Sequence, residues 1–121
     1  MNNIQKRILV CDDDLGIAEV MEIILSENGY QVKVLTSGKG IEKKILGFQP
    51  DLIFLDIWMP GIDGKEITKV LKRTQEFKKI PIILISALSD GERICKNVGA
   101  DGFLAKPFEI SDLLATIQKY I

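Results

Sequence analysis

Side chains able to do chemistry stand at the ends of four short apolar runs in this sequence. Asp12 and Asp13 follow the first of these runs, and Asp56 follows another. Ser86 and Lys106 stand after two later runs. Carboxylates, a hydroxyl and an ammonium group are the groups that hold a hard divalent cation and neutralise a phosphoryl group. The set therefore predicts phosphoryl chemistry at one site, provided that the fold brings the run ends together.

The three carboxylates indicate a cation. Asp12, Asp13 and Asp56 would repel one another in a shared site, and repulsion raises carboxyl pKa values unless a positive charge intervenes. Mg²⁺ prefers oxygen ligands, and it takes one or two carboxylates together with waters and phosphate oxygens. One Mg²⁺ and the Lys106 ammonium group would balance the three negative charges. A carboxylate can also accept a phosphoryl group covalently, as an aspartyl phosphate.

Each of these residues has a simpler interpretation when it is taken alone. Asp14, and Asp13 beside it, could cap a helix that begins after the first run, because Asp is a favoured N-cap. Asp56 could be a turn residue. Ser86 could be an N-cap, and Lys106 a surface charge. Only the coincidence of four run ends favours a shared site.

The runs themselves predict the fold. Five apolar runs alternate with segments of helical periodicity, which is typical of βα units and a parallel sheet. The third and fourth runs are apolar throughout, as in strands covered on both faces, whereas the second alternates and the fifth is weakly apolar, as at edges. These features predict an α/β fold with a doubly wound, flavodoxin-like, five-stranded parallel sheet of order 2-1-3-4-5, with five helices on its two faces. The predicted strands are Ile8–Cys11, Val32–Leu35, Leu52–Leu55, Ile82–Ile85 and Gly102–Ala105.

Apolar stripes at helical spacing lie between these runs. The first helix is expected to end at Asn28-Gly29. The fourth is expected to start at Ser89, and its apolar set of Ile94 and Val98 is thin, so we expect it to be the least firmly held. The other stripes are Ile17, Val20, Met21, Ile24 and Leu25; Ile41 and Ile45; Ile67, Val70 and Leu71; and Ile110, Leu114, Ile117 and Ile121.

Composition excludes several classes of function. The chain of 121 residues carries 16 basic and 17 acidic side chains, which argues against a nucleic-acid partner. It has no histidine, which excludes Ser-His-Asp catalysis and histidine phosphotransfer by the chain itself. No apolar stretch is long enough to span a membrane and no signal peptide is recognisable, so a cytoplasmic protein is expected. Cys11 and Cys95 lack metal-site spacing and are expected to be free thiols. A basic cluster is expected to be a solvated helix end, and it contains Lys72, Arg73, Lys78 and Lys79.

Four blocks of the sequence, in order and in spacing, resemble the receiver domain of bacterial two-component response regulators, of the chemotaxis-regulator type. The blocks are Ile8–Asp14, Asp51–Gly61, Ile85–Ala87 and Gly99–Phe108. The resemblance covers essentially the whole chain, so residues 1–121 are expected to form one receiver domain without an output domain. It implies a phosphorylation-dependent switch that is an autocatalytic phosphoryl acceptor rather than a turnover enzyme.

The resemblance also implies roles for the site residues. Asp56 is expected to be the phosphoryl acceptor, with Mg²⁺ as cofactor. Asp13 is expected to bind the metal directly, Asp12 through water, and Trp58 through its main-chain carbonyl, with Asp56 completing the protein ligands.

Further roles concern the response to phosphorylation. Ser86 is expected to follow the phosphoryl group, Lys106 to pair with it, and Phe103 to rotate inward as Ser86 moves. The bond between Lys106 and Pro107 is expected to be cis. Phe103 lacks the hydroxyl of the tyrosine often found at this position, so its inward position should be less sharply fixed.

Trp58 and Leu88 occupy the variable positions that tune dephosphorylation in this family, and both are bulky and apolar. They are expected to shield the acyl phosphate from water. The donor is expected to be a histidine kinase or a histidine phosphotransfer protein. The target is an unknown protein bound by the fourth helix, the last strand and the fifth helix.

Two other functions remain as alternatives. Asp12-Asp13-Asp14-Leu15-Gly16 is similar to the DxDx[T/V] motif of haloacid-dehalogenase-type phosphohydrolases, in which Asp12 would be the nucleophile, although Gly16 departs from that motif and Asp56 would have no role. A pseudo-receiver would have the fold without phosphorylation. The segment Ser37-Gly38-Lys39-Gly40 lacks the spacing of a nucleotide-binding P-loop.

Overall fold

Five parallel strands form the central sheet of this protein. The structure is a computed structural model, and it describes residues 5–59, 62–87, 89 and 91–121. The strands are β1 (Arg7–Cys11), β2 (Gln31–Leu35), β3 (Leu52–Asp56), β6 (Ile82–Ser86) and β7 (Gly102–Ala105). A separate antiparallel hairpin contains β4 (Trp58–Met59) and β5 (Ile62–Asp63). The sheet order is β2-β1-β3-β6-β7. The predicted order is therefore confirmed, since the hairpin changes only the numbering.

Helices cover both faces of the sheet. They are α1 (Leu15–Glu27), α2 (Ile41–Phe48), α3 (Gly64–Arg73), α4 (Gly91–Val98) and α5 (Ile110–Tyr120). Asp14 caps α1, since its Oδ1 accepts from the Ile17 N–H at 3.2 Å. Gly29 follows the C-cap of α1 with a φ of 90°, as its place in the sequence predicts. Helix α4 is described from Gly91, and Ser89 lies in a turn before it, so the predicted start at Ser89 stays a prediction because residue 90 lies outside the described residues.

Two apolar cores lie on opposite faces of the sheet. Because successive strand residues point to opposite faces, the fully buried strands β3 and β6 contribute to both cores. One core packs α1 and α5 against the sheet, and the other packs α2, α3 and α4 against it. The free cysteines are buried in the second of these, Cys11 from β1 and Cys95 from α4.

Three residues of the predicted stripes do not face the sheet. Val20, Val70 and Ile110 are 52%, 44% and 56% exposed. Each helix buries a neighbouring position instead, because the line of closest approach to the sheet runs beside the apolar stripe. The buried residues in those helices include Ala18, Thr68 and Leu113. The buried Thr68 hydroxyl has a hydrogen-bond partner, since it donates to the Gly64 carbonyl at 2.7 Å.

Lys72 is bound rather than solvated, contrary to the sequence prediction. Its Nζ donates to Asp101 Oδ2 at 2.8 Å, and to the carbonyls of Lys78 and Ile80 at 3.0 and 3.1 Å. The Ile82 N–H donates to the same Asp101 oxygen at 2.8 Å, and the Tyr120 hydroxyl donates to the Asp101 carbonyl at 2.6 Å. We call this group (Lys72, Asp101, Tyr120 and the Ile82 N–H) the amino-edge lock, because it joins elements at the amino ends of β6 and β7.

Candidate functional site

The carboxyl ends of four adjacent strands bring the chemically active side chains together. Asp12 directly follows β1, Asp56 and Ser86 end β3 and β6, and Lys106 directly follows β7. The register fixes their relative depth, since Asp56 pairs with Ile85 and the Lys106 N–H donates to the Ser86 carbonyl at 2.9 Å. Four run ends therefore meet at one edge, as the sequence predicts.

Three carboxylates at this edge are close enough to share a ligand. Asp12, Asp13 and Asp56 each offer an oxygen, and these oxygens all lie within 4.8 Å of one another. Asp12 is fully buried and Asp56 is 5% exposed, whereas Asp13 is exposed. Of the three carboxylates, Asp13 is therefore the one that solvent reaches freely.

Lys106 bridges the two buried carboxylates. Its Nζ lies 2.9 Å from Asp12 Oδ2 and 3.1 Å from Asp56 Oδ2. Burial lowers the pKa of the Lys106 ammonium group, but the two carboxylates outweigh burial and raise it above its usual value. Lys106 is therefore a fixed positive charge at neutral pH.

Asp56 is ionised with difficulty. Burial raises its pKa from 3.8 to about 6, although the Trp58 N–H and the Lys106 ammonium group act in the opposite direction. The Trp58 N–H donates to Asp56 Oδ1 at 3.1 Å, and Lys106 holds Oδ2. At neutral pH the group is a carboxylate, poorly stabilised by water and so ready to gain from a second cation.

The donor set fits Mg²⁺. Asp12 Oδ1 accepts from the Asp14 N–H at 2.9 Å, and its buried Oδ2 forms an ion pair with the Lys106 ammonium group at 2.9 Å. One ammonium group faces three carboxylates here, so an added cation would balance the remaining negative charge. Two buried carboxylates and one exposed carboxylate are the hard oxygen ligands that Mg²⁺ takes.

Trp58 lies beside Asp56, but its side chain faces solvent. Its side chain is 53% exposed, and the Lys65 Nζ lies 5.0 Å from the centre of its ring, a cation–π distance. The role predicted for its main-chain carbonyl as a metal ligand stays a prediction. Leu88, the other predicted rate-tuning residue, lies outside the described residues.

Sequence reasoning missed two residues beside this site. Gly64 donates its N–H to the Ile57 carbonyl at 3.1 Å, and a Cβ at Gly64 would lie 2.7 Å from the Asp56 carbonyl oxygen. Helix α3 can therefore approach the end of β3 only with glycine here. The available signal was a glycine at the first position of a helix, directly after the Asp63 cap. Lys65, over Trp58, gave no signal beyond its charge.

The predicted switch residues occupy neighbouring strands. Ser86 is 2% exposed at the end of β6, and Phe103 is half-buried in β7, where it packs against the second core. The bond between Lys106 and Pro107 is cis, as expected. How Ser86 and Phe103 respond to phosphorylation stays a prediction.

Residues 8–118 match the model of the response regulator receiver domain, so this chain belongs to that family. Receiver domains are the signalling switches of two-component systems, and response regulators receive phosphoryl groups from histidine kinases. The acidic group of Asp12, Asp13 and Asp56 is the kind of cluster at which receiver domains bind Mg²⁺.

The curated relatives are longer regulators. The chain is 31% identical over 120 residues to the DNA-binding response regulator MtrA of Mycobacterium bovis, covering 98% of this chain and 51% of MtrA. It is 38% identical over 114 residues to the response regulator MprA of Mycolicibacterium vanbaalenii, covering 93% of this chain and 48% of MprA. The chain thus spans about half the length of these relatives.

Solved structures agree on the fold. The chemotaxis response regulator CheY4 of Vibrio cholerae matches with a TM-score of 0.89 and 29% identity, covering 98% of this chain and 100% of CheY4. The signal receiver domain of a response regulator from Bermanella marisrubri matches with a TM-score of 0.87 and 31% identity, covering 97% and 98% of the two chains.

Among the described residues, no helix has the length and apolar character that a membrane crossing requires.

Proposed function

We propose that Asp56 accepts a phosphoryl group from a phosphohistidine on a histidine kinase or histidine phosphotransfer protein. The observation that carries this proposal is the group of three carboxylates, two of them buried and bridged by the single ammonium group of Lys106. Such a site favours an added cation, and that cation together with Lys106 can then neutralise the oxygens of a phosphoryl group.

In this proposal the chain supplies the nucleophile and its orientation. A carboxylate oxygen of Asp56 attacks phosphorus, a P–O bond forms, and the P–N bond to the donor histidine breaks, with the electron pair leaving on the imidazole. The Trp58 N–H and Lys106 hold the carboxylate in place. Lys106 also neutralises charge that develops on the phosphoryl oxygens. Bound Mg²⁺, held by Asp12, Asp13, Asp56 and the Trp58 carbonyl, would supply further neutralisation.

The switching step is proposed to involve Ser86 and Phe103. Phosphorylation replaces a carboxylate with a more negative acyl phosphate, to which the Ser86 hydroxyl can donate. Phe103 is proposed to rotate inward as Ser86 moves. The face made by α4, β7 and α5 then changes its affinity for a downstream protein, by as much as the two conformations differ in their affinity for the phosphoryl group.

Output is proposed to occur through this protein contact rather than through nucleic acid. The basic and acidic side chains of the chain are nearly balanced, at 16 and 17, so it lacks the surplus of positive charge that DNA binding requires. MtrA, which is named as a DNA-binding response regulator, is about twice as long as this chain.

Trp58 and Leu88 are proposed to slow hydrolysis of the acyl phosphate. A large apolar side chain two residues after the acceptor limits the approach of water. The Trp58→Asn variant should therefore lose its phosphoryl group faster than wild type. An unchanged or slower rate would contradict the role of Trp58, and Trp58→Phe, which keeps an apolar ring, should stay close to wild type.

The phosphorylated residue decides between this proposal and its alternatives. The chain is treated with phosphoramidate, a small donor with a P–N bond, in the presence of Mg²⁺, trapped with borohydride and sequenced by mass spectrometry. Reduction at Asp56 supports the proposal, and reduction at Asp12 supports the phosphohydrolase-like alternative. Asp56→Asn should lose the product, whereas Asp63→Asn, at an exposed helix cap, should keep it.

A second measurement tests the pseudo-receiver. Trp58 is the only tryptophan, and its main-chain N–H donates to the carboxylate of Asp56. Its fluorescence should respond to Mg²⁺ and then to beryllofluoride, which imitates a phosphoryl group. Silence in both titrations would favour a fold without phosphorylation.

A further inference from the structure

Gly91, the first residue of α4, contacts the ring of Phe103. A Cβ built on Gly91 would lie 2.1 and 2.2 Å from Phe103 Cζ and Cε1, and 2.9 Å from Cε2. Real Cβ atoms do not approach other atoms this closely, so the ring occupies the space that any other side chain would fill. We call this contact of Gly91 with the Phe103 ring the ring seat.

The backbone of α4 does not itself require glycine at this position. Gly91 is a residue of the helix, and an α-helical backbone accepts any residue other than proline without steric conflict. Glycine is a poor helix residue compared with alanine. A glycine where the backbone would accept any residue is explained by what lies against it, and here that is the ring.

A second contact joins the same two elements. The Cys95 thiol, one turn further along α4, donates to the Gly102 carbonyl at 3.1 Å. Helix α4 thus contacts β7 at Gly102 and at Phe103, the residue that bears the ring. Ser86 ends the strand that precedes α4, five positions before Gly91 along the chain.

The ring has room to move elsewhere. A cavity of about 380 Å³ opens between α4, β7 and α5, and Phe103, Thr116 and Tyr120 are among its lining residues. A methyl group at position 91 would push the ring from its seat into this cavity. The fold could accommodate the change, and the ring would lie further from the core.

We propose that Gly91 is a positioning residue for the switch, because only glycine at the start of α4 lets the Phe103 ring take its half-buried position. This inference rests on the proposed function, and it assigns the half-buried position against Gly91 as the inward position of the ring, which binding of a phosphoryl group would make more populated. Residue 91 then sets how readily the ring moves inward, and so how tightly the site holds a phosphoryl group.

The test is a double-mutant cycle between Gly91→Ala and Phe103→Leu, since leucine lacks the ring atoms that the new Cβ would meet. Affinity for beryllofluoride with saturating Mg²⁺ is measured by Trp58 fluorescence. Gly91→Ala should weaken binding roughly three- to tenfold, the effect of forcing a side chain out of its rotamer. In the Phe103→Leu background the same change should have an effect below about twofold.

A matched control is Gly47→Ala in α2, where a Cβ would have no atom within 4 Å. It should leave the affinity unchanged. Tighter or unchanged binding in Gly91→Ala, or an equal loss in both backgrounds, would overturn the proposal. A purely structural loss would lower the melting temperature in both backgrounds without this dependence on residue 103.

Thermal unfolding of the same four proteins separates this inference from the proposed function. Gly91→Ala should lower the melting temperature in the wild-type background and raise it in the Phe103→Leu background, where only its better helix propensity remains. In one outcome, wild type fails to bind beryllofluoride while the effect of Gly91→Ala on the melting temperature still differs in sign between the two backgrounds. That result would contradict the proposed function and support the ring seat. If wild type binds and no coupling is seen, the ring seat fails. Should Gly91→Ala alone not fold, a folded double variant supports the ring seat and an unfolded one overturns it.

Discussion

The two ends of the parallel sheet each hold a lysine bound to carboxylate, and the two arrangements differ in completeness. At the amino end, Lys72 Nζ uses its three N–H donors on Asp101 and two carbonyls, and the Asp101 oxygen also accepts from the Ile82 N–H. At the carboxyl end, Lys106 is shared between Asp12 and Asp56, and Asp13 offers a third carboxylate oxygen within 4.8 Å of theirs.

The difference separates stabilisation from function. A complete network of charges and hydrogen bonds contributes to the stability of one arrangement and has nothing left for a ligand. An incomplete network costs stability in the absence of a ligand, and that cost is recovered when a cation binds. Four predictions test this contrast.

The largest expected effect is at the amino-edge lock. Lys72→Met should lower the free energy of unfolding by about 2–3 kcal/mol, because Asp101 loses its counter-charge and two carbonyls lose a donor. Denaturant unfolding measures the change. Lys69→Met removes an exposed pair with Glu66 and should cost at most about 0.5 kcal/mol. A loss as small in Lys72→Met as in the control would show that the lock contributes no more than a surface pair.

The pH dependence of the free energy of unfolding should reveal the effect of Asp56 at the carboxyl end of the sheet. Because the pKa of Asp56 is raised from 3.8 to about 6, the folded protein holds more protons than the unfolded chain between these two pH values. Without divalent cation, the free energy of unfolding should therefore fall as pH rises through this window, by about 1–3 kcal/mol from this group. Asp56→Asn should remove that part of the slope. An Asp56→Asn protein no more stable than wild type at pH 7 would contradict the strain assigned to this carboxylate.

Added Mg²⁺ should recover part of this loss. At ten times its dissociation constant, the ion should raise the free energy of unfolding by about 1.4 kcal/mol at pH 7. Asp13→Asn removes an exposed carboxylate and leaves both Lys106 ion pairs in place, and it should reduce the effect at equal Mg²⁺ concentration. Equal stabilisation of both proteins would exclude Asp13 as a ligand.

The smallest expected effect returns to the amino end. Tyr120→Phe removes the hydroxyl that donates to the Asp101 carbonyl and should cost about 0.5–1 kcal/mol. It should leave the Mg²⁺ affinity measured by Trp58 fluorescence unchanged. A change in that affinity would show that the two ends of the sheet are coupled.

Sequence periodicity predicts the sheet well and the helix faces less well. The strand order and both edges follow from which runs are apolar throughout and which alternate. Val20 and Ile110 were assigned to buried stripes and are exposed, because spacing gives the width of an apolar stripe but not the line along which a helix meets the sheet. That line depends on packing between elements distant in sequence.

The candidate site divides in the same way. Residues at strand ends can be located from sequence, because parallel strands bring those ends together, and Asp12, Asp56 and Lys106 are found in contact. The ring seat could not be predicted, since it depends on the distance between Gly91 and a ring on another element. The prediction that Lys72 is solvated is wrong for a similar reason, since its carboxylate partner lies 29 positions away.

The burial of Cys11 has a consequence for oxidative damage. This thiol precedes Asp12 on β1, and burial raises its pKa to about 12. At pH 7 such a thiol is ionised in roughly one molecule in 10⁵, and peroxide attacks the ionised form. Oxidation of the Cys11 thiol therefore requires the sheet to open first. The rate of this oxidation should fall as the free energy of unfolding rises.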